Sequence, residues 1–141
     1  MKIKKCVLDN INATAKLALR LMVKYISKDL LYLEIKGRPM NMMDLYALLG
    51  FTQSNFDKVM NRLIQANIAA ILLGEDLEII VINPYIFADR KMNKRQSDVS
   101  RIAFNTKNTD GKHWELPQTK PAPRKAARYA MDRIRRLTDG K

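Results

Sequence analysis

The segment Met40–Ala69, MNMMDLYALLGFTQSNFDKVMNRLIQANIA, constrains the fold of this 141-residue chain more than any other stretch. It reads as two helices joined by a tight turn. Leu45, Leu49, Phe51, Phe56 and Val59 recur where such a helix pair needs apolar residues. Gly50 falls at the turn, where a positive φ costs least for a residue without Cβ. Asn41 offers an N-cap for the first helix, with Asp44 in its acid-favouring first turn. Thr52 offers an N-cap for the second, its hydroxyl accepting from first-turn N–H groups. The second helix then carries a polar face of Gln53, Ser54, Asp57, Lys58, Asn61 and Arg62. Amides, hydroxyls and cations on one helix face suit base edges and phosphates in a major groove. The pair is therefore a candidate helix-turn-helix.

The flanking sequence extends this reading. Asn12–Ser27 is predicted as a helix with an apolar face of Leu17, Ala18, Leu21, Met22, Tyr25 and Ile26, widened by Leu19 and Val23. Lys16, Arg20, Lys24 and Lys28 recur every fourth residue and form a basic edge, either a solvated face or a surface for an external anion. Leu30–Lys36 reads as a short strand ended by Gly37-Arg38-Pro39. Ala69–Leu73 and Leu77–Ile82 read as a hairpin across Gly74-Glu75-Asp76, stopped by Asn83-Pro84. The order is helix, strand, helix, helix, strand, wing, strand. The expected fold class is α+β, a winged helix-turn-helix with a basic C-terminal helical extension.

A second basic cluster, Arg90, Lys91, Lys94, Arg95 and Arg101, surrounds a predicted helix start near Ser97. Val99, Ile102, Ala103 and Phe104 offer to return that segment to the core. From Asn105 to Pro123 the composition shifts to Asn, Thr, Gly, Gln and three prolines, a linker or docked arm that also holds Trp114. Arg124–Leu137 reads as a short basic helix. The expected organisation is a domain over residues 1–104, a linker over 105–123 and a basic helix or tail over 124–141.

The net charge of +12 points to a polyanionic partner, nucleic acid before an anionic membrane. Residues 1–90 hold 12 Lys+Arg against 9 Asp+Glu, whereas residues 91–141 hold 14 against 5, so most of the excess lies behind the helix pair. An apolar fraction of 47% supports a packed core. No apolar run approaches the roughly 20 residues that span a bilayer, and Asp9, Asn10 and Asn12 interrupt any signal-peptide core. The single Cys6 excludes an internal disulfide and fits a reducing, cytoplasmic compartment.

Catalytic chemistry is not expected. One histidine, His113, and one cysteine cannot make a structural zinc site or a paired-histidine nuclease centre. Five scattered glycines form no phosphate loop. The chain calls for no cofactor.

Met40–Phe87 resembles the winged-helix proteins of plasmids and phages, in particular RepL-type plasmid replication proteins, with looser similarity to MarR-like regulators. The resemblance rests on DLYALLGFTQSNFDKVMNRLIQANI, the apolar hairpin behind it and the closing phrase VINPYIF. It covers about a third of the chain. Two departures stand out. Tyr46 occupies a position where this helix pair usually keeps a small residue, with Ala47 beside it. The wing tip is Glu75-Asp76, which DNA would repel, so the wing is expected to be structural or to face a protein. The resemblance implies a duplex-DNA-binding protein of a mobile element, acting in replication initiation or transcriptional regulation in a bacterial cytoplasm or nucleoid. Gln53, Ser54, Asn55 and Asn61 are the candidate base contacts. Thr52, Lys58, Arg62, Lys16, Arg20, Arg90, Lys91, Lys94 and Arg95 are the candidate phosphate contacts. A homodimer and replication or transcription proteins are the expected protein partners. The alternatives are a winged-helix protein-interaction scaffold and an RNA- or ribosome-binding protein acting through the tail.

Overall fold

The computed structural model describes residues 2–27, 32–73, 78–88 and 93–104. Arg90, Lys91, the hairpin tip 74–77, Trp114 and the expected linker and tail lie outside the described residues. Over the described residues the fold is α+β. Helices α1 (Lys5–Leu8), α2 (Ala13–Met22), α3 (Met42–Leu49), α4 (Gln53–Gln65) and α5 (Lys94–Ala103) accompany two antiparallel pairs, β1 (Glu34–Ile35) with β2 (Arg38–Pro39) and β3 (Ala69–Leu73) with β4 (Glu78–Ile82).

The first long helix is shorter than its sequence predicts and is rolled about its axis. Asn12 caps it, its side chain accepting the Ala15 N–H at 2.9 Å. The α-helix ends at Met22 and tightens into a 3₁₀ turn over Val23–Tyr25. The buried face is Ala15, Ala18, Leu19 and Met22, whereas Leu17 is 63% exposed. Ala15 and Ala18 are small enough to let α2 lie close against α4, and this contact rather than the number of large apolar residues sets the roll. The helix α1 and a bridge from Ile3 to Phe87 were not foreseen, and they pin the N-terminus beside the segment that follows β4.

Leu30 and Leu31 of the predicted strand lie outside the described residues; its strand part is Glu34–Ile35, and the predicted stop Gly37-Arg38-Pro39 instead turns back to pair with it as a hairpin. Glu34 pairs with Pro39 and Ile35 with Arg38 across a two-residue turn. Lys36 and Gly37 both have positive φ, 51° and 75°, as the turn that matches strand twist requires. Leu33 ties this hairpin to β4 through its N–H to the Ile80 carbonyl at 2.8 Å.

The helix pair follows its local signals. Asn41 and Asp44 form a reciprocal capping box at the start of α3. Gly50 ends α3 at φ 68°. Thr52 caps α4, accepting the Asn55 N–H at 3.3 Å. Leu45, Phe56, Val59, Met60 and Leu63 are buried, with Leu49 and Phe51 half-buried against them. Tyr46 stands at the edge of the pair, its ring meeting Phe56 edge-on at 5.3 Å, and Ala47 is exposed. Asn67, at φ 64°, ends α4: Ile68 N–H donates to Leu63 O and Asn67 N–H to Ile64 O. These are the two reverse bonds of a Schellman ending, with Asn replacing the usual Gly.

β3 and β4 pair from Ala69–Ile82 to Leu73–Glu78. Successive strand residues point to opposite faces. Ile79, Ile80, Val81 and Ile82 are all buried, so β4 is covered on both sides. Asn83 closes the hairpin. Its side chain donates to the Asn67 carbonyl at 2.9 Å and accepts the Tyr85 N–H at 3.1 Å. α5 begins at Lys94, three residues before the predicted start; Ser97 sits a turn inside it because Lys94, Arg95 and Gln96 are themselves good helix formers. Phe104 is buried and Ala103 half-buried.

Candidate nucleic-acid interface

Burial of Phe56, Val59, Met60 and Leu63 on one side of α4 turns the other side outward. Gln53, Ser54, Asn55, Asp57, Lys58, Asn61 and Arg62 are all exposed. At 3.6 residues per turn, Ser54, Lys58, Asn61 and Gln65 form the ridge opposite the core. Asn55 and Arg62 lie on one flank, Gln53 and Asp57 on the other.

The two flanks differ chemically. Gln53 Nε2 donates to Asp57 Oδ1 at 3.0 Å, so this candidate base reader is held within its own helix by a carboxylate. The other flank opens into a groove of about 530 Å³. Asn55, Lys58, Asn61 and Arg62 line it from α4, and Asn10, Asn12 and Thr14 line it from the α1–α2 junction. No Asp or Glu is among these lining residues.

The groove thus gathers four of the candidate contacts and adds three residues that the sequence reading did not place among the contacts. The Asn-rich run Asn10-Ile11-Asn12 was a visible polar signal, but only the packing of α2 on α4 brings it opposite Lys58 and Arg62. Of the predicted basic edge, Lys28 lies outside the described residues and Lys16, Arg20 and Lys24 line no part of this groove. Arg20 and Lys24 border a shallow apolar groove with Leu17, Ala18, Leu21, Leu49 and Phe51. Lys16 is half-buried and lines neither groove. Lys94 is exposed at the start of α5. Arg95 belongs to α5, but its side chain lies outside the described set. Thr52 is exposed and serves as the α4 cap.

Comparison with protein-family models, with curated proteins and with solved structures gives no match to the chain.

The start of α3 is held by polar contacts. Arg38 donates to both Asp44 carboxylate oxygens, at 2.7 and 3.1 Å. This hydrogen bond, then the Asn41 backbone N–H, holds the Asp44 carboxyl down at about 2. The same pairing raises the Arg38 guanidinium above its ordinary value. Among the described residues, no helix is long and apolar enough to cross a membrane.

Proposed function

We propose that the chain is a non-enzymatic, sequence-specific duplex-DNA-binding protein of winged-helix type, with α4 as the element that enters the major groove. The observation that carries this reading is the exposed, amide- and cation-bearing face of α4 beside a groove free of lining carboxylates. Gln53, Ser54 and Asn61 offer hydrogen bonds to base edges, and Lys58 and Arg62 offer charge to phosphates. The net charge of +12 supports a polyanionic partner. The order of α2, the short hairpin, α3, α4 and the β3–β4 hairpin supports the winged-helix assignment. The burial of β4 on both faces supports a structural role for the hairpin strands, leaving recognition to α4. The mobile-element setting, in replication initiation or transcription, rests on the sequence resemblance alone.

The experiment is a salt titration of duplex binding by the full chain and by Lys58→Ala. The substitution should weaken binding to every duplex and reduce the slope of log K against log salt by about one unit. An unchanged slope removes Lys58 from the phosphate contacts.

A separate surface favours a protein contact alongside DNA binding. Leu17, 63% exposed, adjoins Leu21, Leu49 and Phe51 in the apolar groove flanked by Arg20 and Lys24. Sedimentation of the full chain against Leu17→Glu tests whether that groove joins two copies. A dimer that the substitution dissociates supports the contact, and a monomer in both removes it.

A further inference from the structure

The groove beside α4 has two walls, and the second belongs to no element that the helix-pair reading requires. We infer that the α1–α2 junction is a second DNA-contacting element, in which Asn10, Asn12 and Thr14 hold the sugar–phosphate backbone of one strand against Asn55, Lys58 and Arg62. The inference rests on the duplex-binding reading of α4.

Three observations carry it. The first is placement. A helix is about 10–12 Å across with its side chains, close to the roughly 12 Å width of the major groove, so its two flanks face the two backbones. The groove lies along one of those flanks and is lined from both sides. The second is donor chemistry. Asn12 accepts the Ala15 N–H through Oδ1, which leaves its Nδ2 for another acceptor. Asn10 gives one Nδ2–H to the Cys6 carbonyl and keeps a second. Thr14 presents an exposed hydroxyl. The third is the asymmetry of charge. The groove holds Lys58 and Arg62 without a lining carboxylate, whereas the opposite flank of α4 carries Asp57. A phosphodiester chain is attracted to one flank and repelled by the other.

The consequence is a division of labour along α4. Asn55, inside the groove with Arg62, becomes a backbone contact rather than a base reader. Base reading is left to Ser54, to Asn61 where the outer ridge meets the groove, and to Gln53 through the N–H and carbonyl that Asp57 leaves open.

Thr14 is the position at which to test this, because it is exposed in the first turn of α2 and its side chain makes no cap. Thr14→Glu places a carboxylate on the wall and suits a helix N-terminus; Thr14→Lys places a cation there. Duplex affinity is measured for both variants and for Lys58→Ala over a range of salt, with thermal melts of each. The expected result is opposite signs: Thr14→Glu weakens binding about tenfold, and Thr14→Lys tightens it and steepens the salt slope by about one unit. Both variants binding as the parent while Lys58→Ala weakens overturns the second wall and leaves the α4 reading standing. Neutrality of all three overturns both. Weakening by both Thr14 variants marks a structural effect and overturns the electrostatic contact. Tighter binding of the parent chain to duplex RNA than to duplex DNA overturns the DNA assignment of the groove.

Discussion

Glu78 Oε1 on β4 accepts the backbone N–H of Met42 at 2.6 Å, at the first turn of α3. A carboxylate from the hairpin thus satisfies one of the N–H groups that α3 cannot satisfy itself, and its charge complements the positive end of the helix. The contact spans 36 residues of sequence and couples the hairpin to the helix pair. Glu78→Ala should lower stability by about 1–2 kcal/mol, as loss of a charge-assisted bond does. Urea unfolding checks this, and an unchanged midpoint would show that the bond contributes nothing net.

Asn83 is fully buried and bonds both ways, to the Asn67 carbonyl and from the Tyr85 N–H. It joins the end of β4 to the left-handed residue that ends α4. Asn83→Ala leaves the Asn67 carbonyl without that donor, and the expected loss is about 2 kcal/mol. Asn83→Asp should not restore stability, because the carboxylate keeps the acceptor but cannot donate. Full stability of the Asp variant would mean that the Asn67 bond is unimportant.

Acid should loosen the start of α3. The Asp44 carboxyl is depressed to about 2 from its ordinary 3.8 by the Arg38 hydrogen bond and the Asn41 N–H. A depressed folded value stabilises the folded state above the unfolded value. That stabilisation is lost as pH falls from about 4 through about 2. Arg38 is exposed and Asp44 only half-buried, so the effect is modest and screened by salt. Stability measured across this range should fall less steeply in Asp44→Asn than in the parent. Equal slopes would show that Asp44 is not linked to folding.

These contacts show which parts of the fold were legible in sequence. Asn41, Asp44, Gly50 and Thr52 act within one turn of themselves, and each does in the structure what its chemistry implied. Asn83-Pro84 likewise stops β4. Long-range packing was not legible. Leu19, not Leu17, enters the core because Ala15 and Ala18 set how α2 meets α4, and alanines carry little signal in an apolar pattern. Lys36 at positive φ hid the first hairpin, since lysine is not a residue that announces a turn. The exposed face of α4 followed from its periodicity. Its opposing wall at Asn10, Asn12 and Thr14 did not, because it is made by two helices meeting across some fifty residues of sequence.

Gln53 illustrates how a candidate contact depends on its neighbours. Asp57 takes one of its amide N–H donors and fixes the orientation of the side chain, leaving the second N–H and the carbonyl oxygen for a base edge. Gln53→Ala should cost about 1–3 kcal/mol at a cognate site and little on random duplex. Asp57→Asn should tighten binding to all duplexes by removing a negative charge from the presented face. Equal loss on cognate and random DNA for Gln53→Ala would remove it from base readout.

Readout of duplex sequence by α4 is the decisive property. It is tested most directly by selecting bound duplexes from a random library with the full chain at two salt concentrations and sequencing what is retained. One enriched motif should persist at the higher salt, because base contacts outlast screened phosphate contacts. Uniform retention of all sequences that vanishes with salt would contradict it, leaving a basic chain that binds phosphate without reading bases.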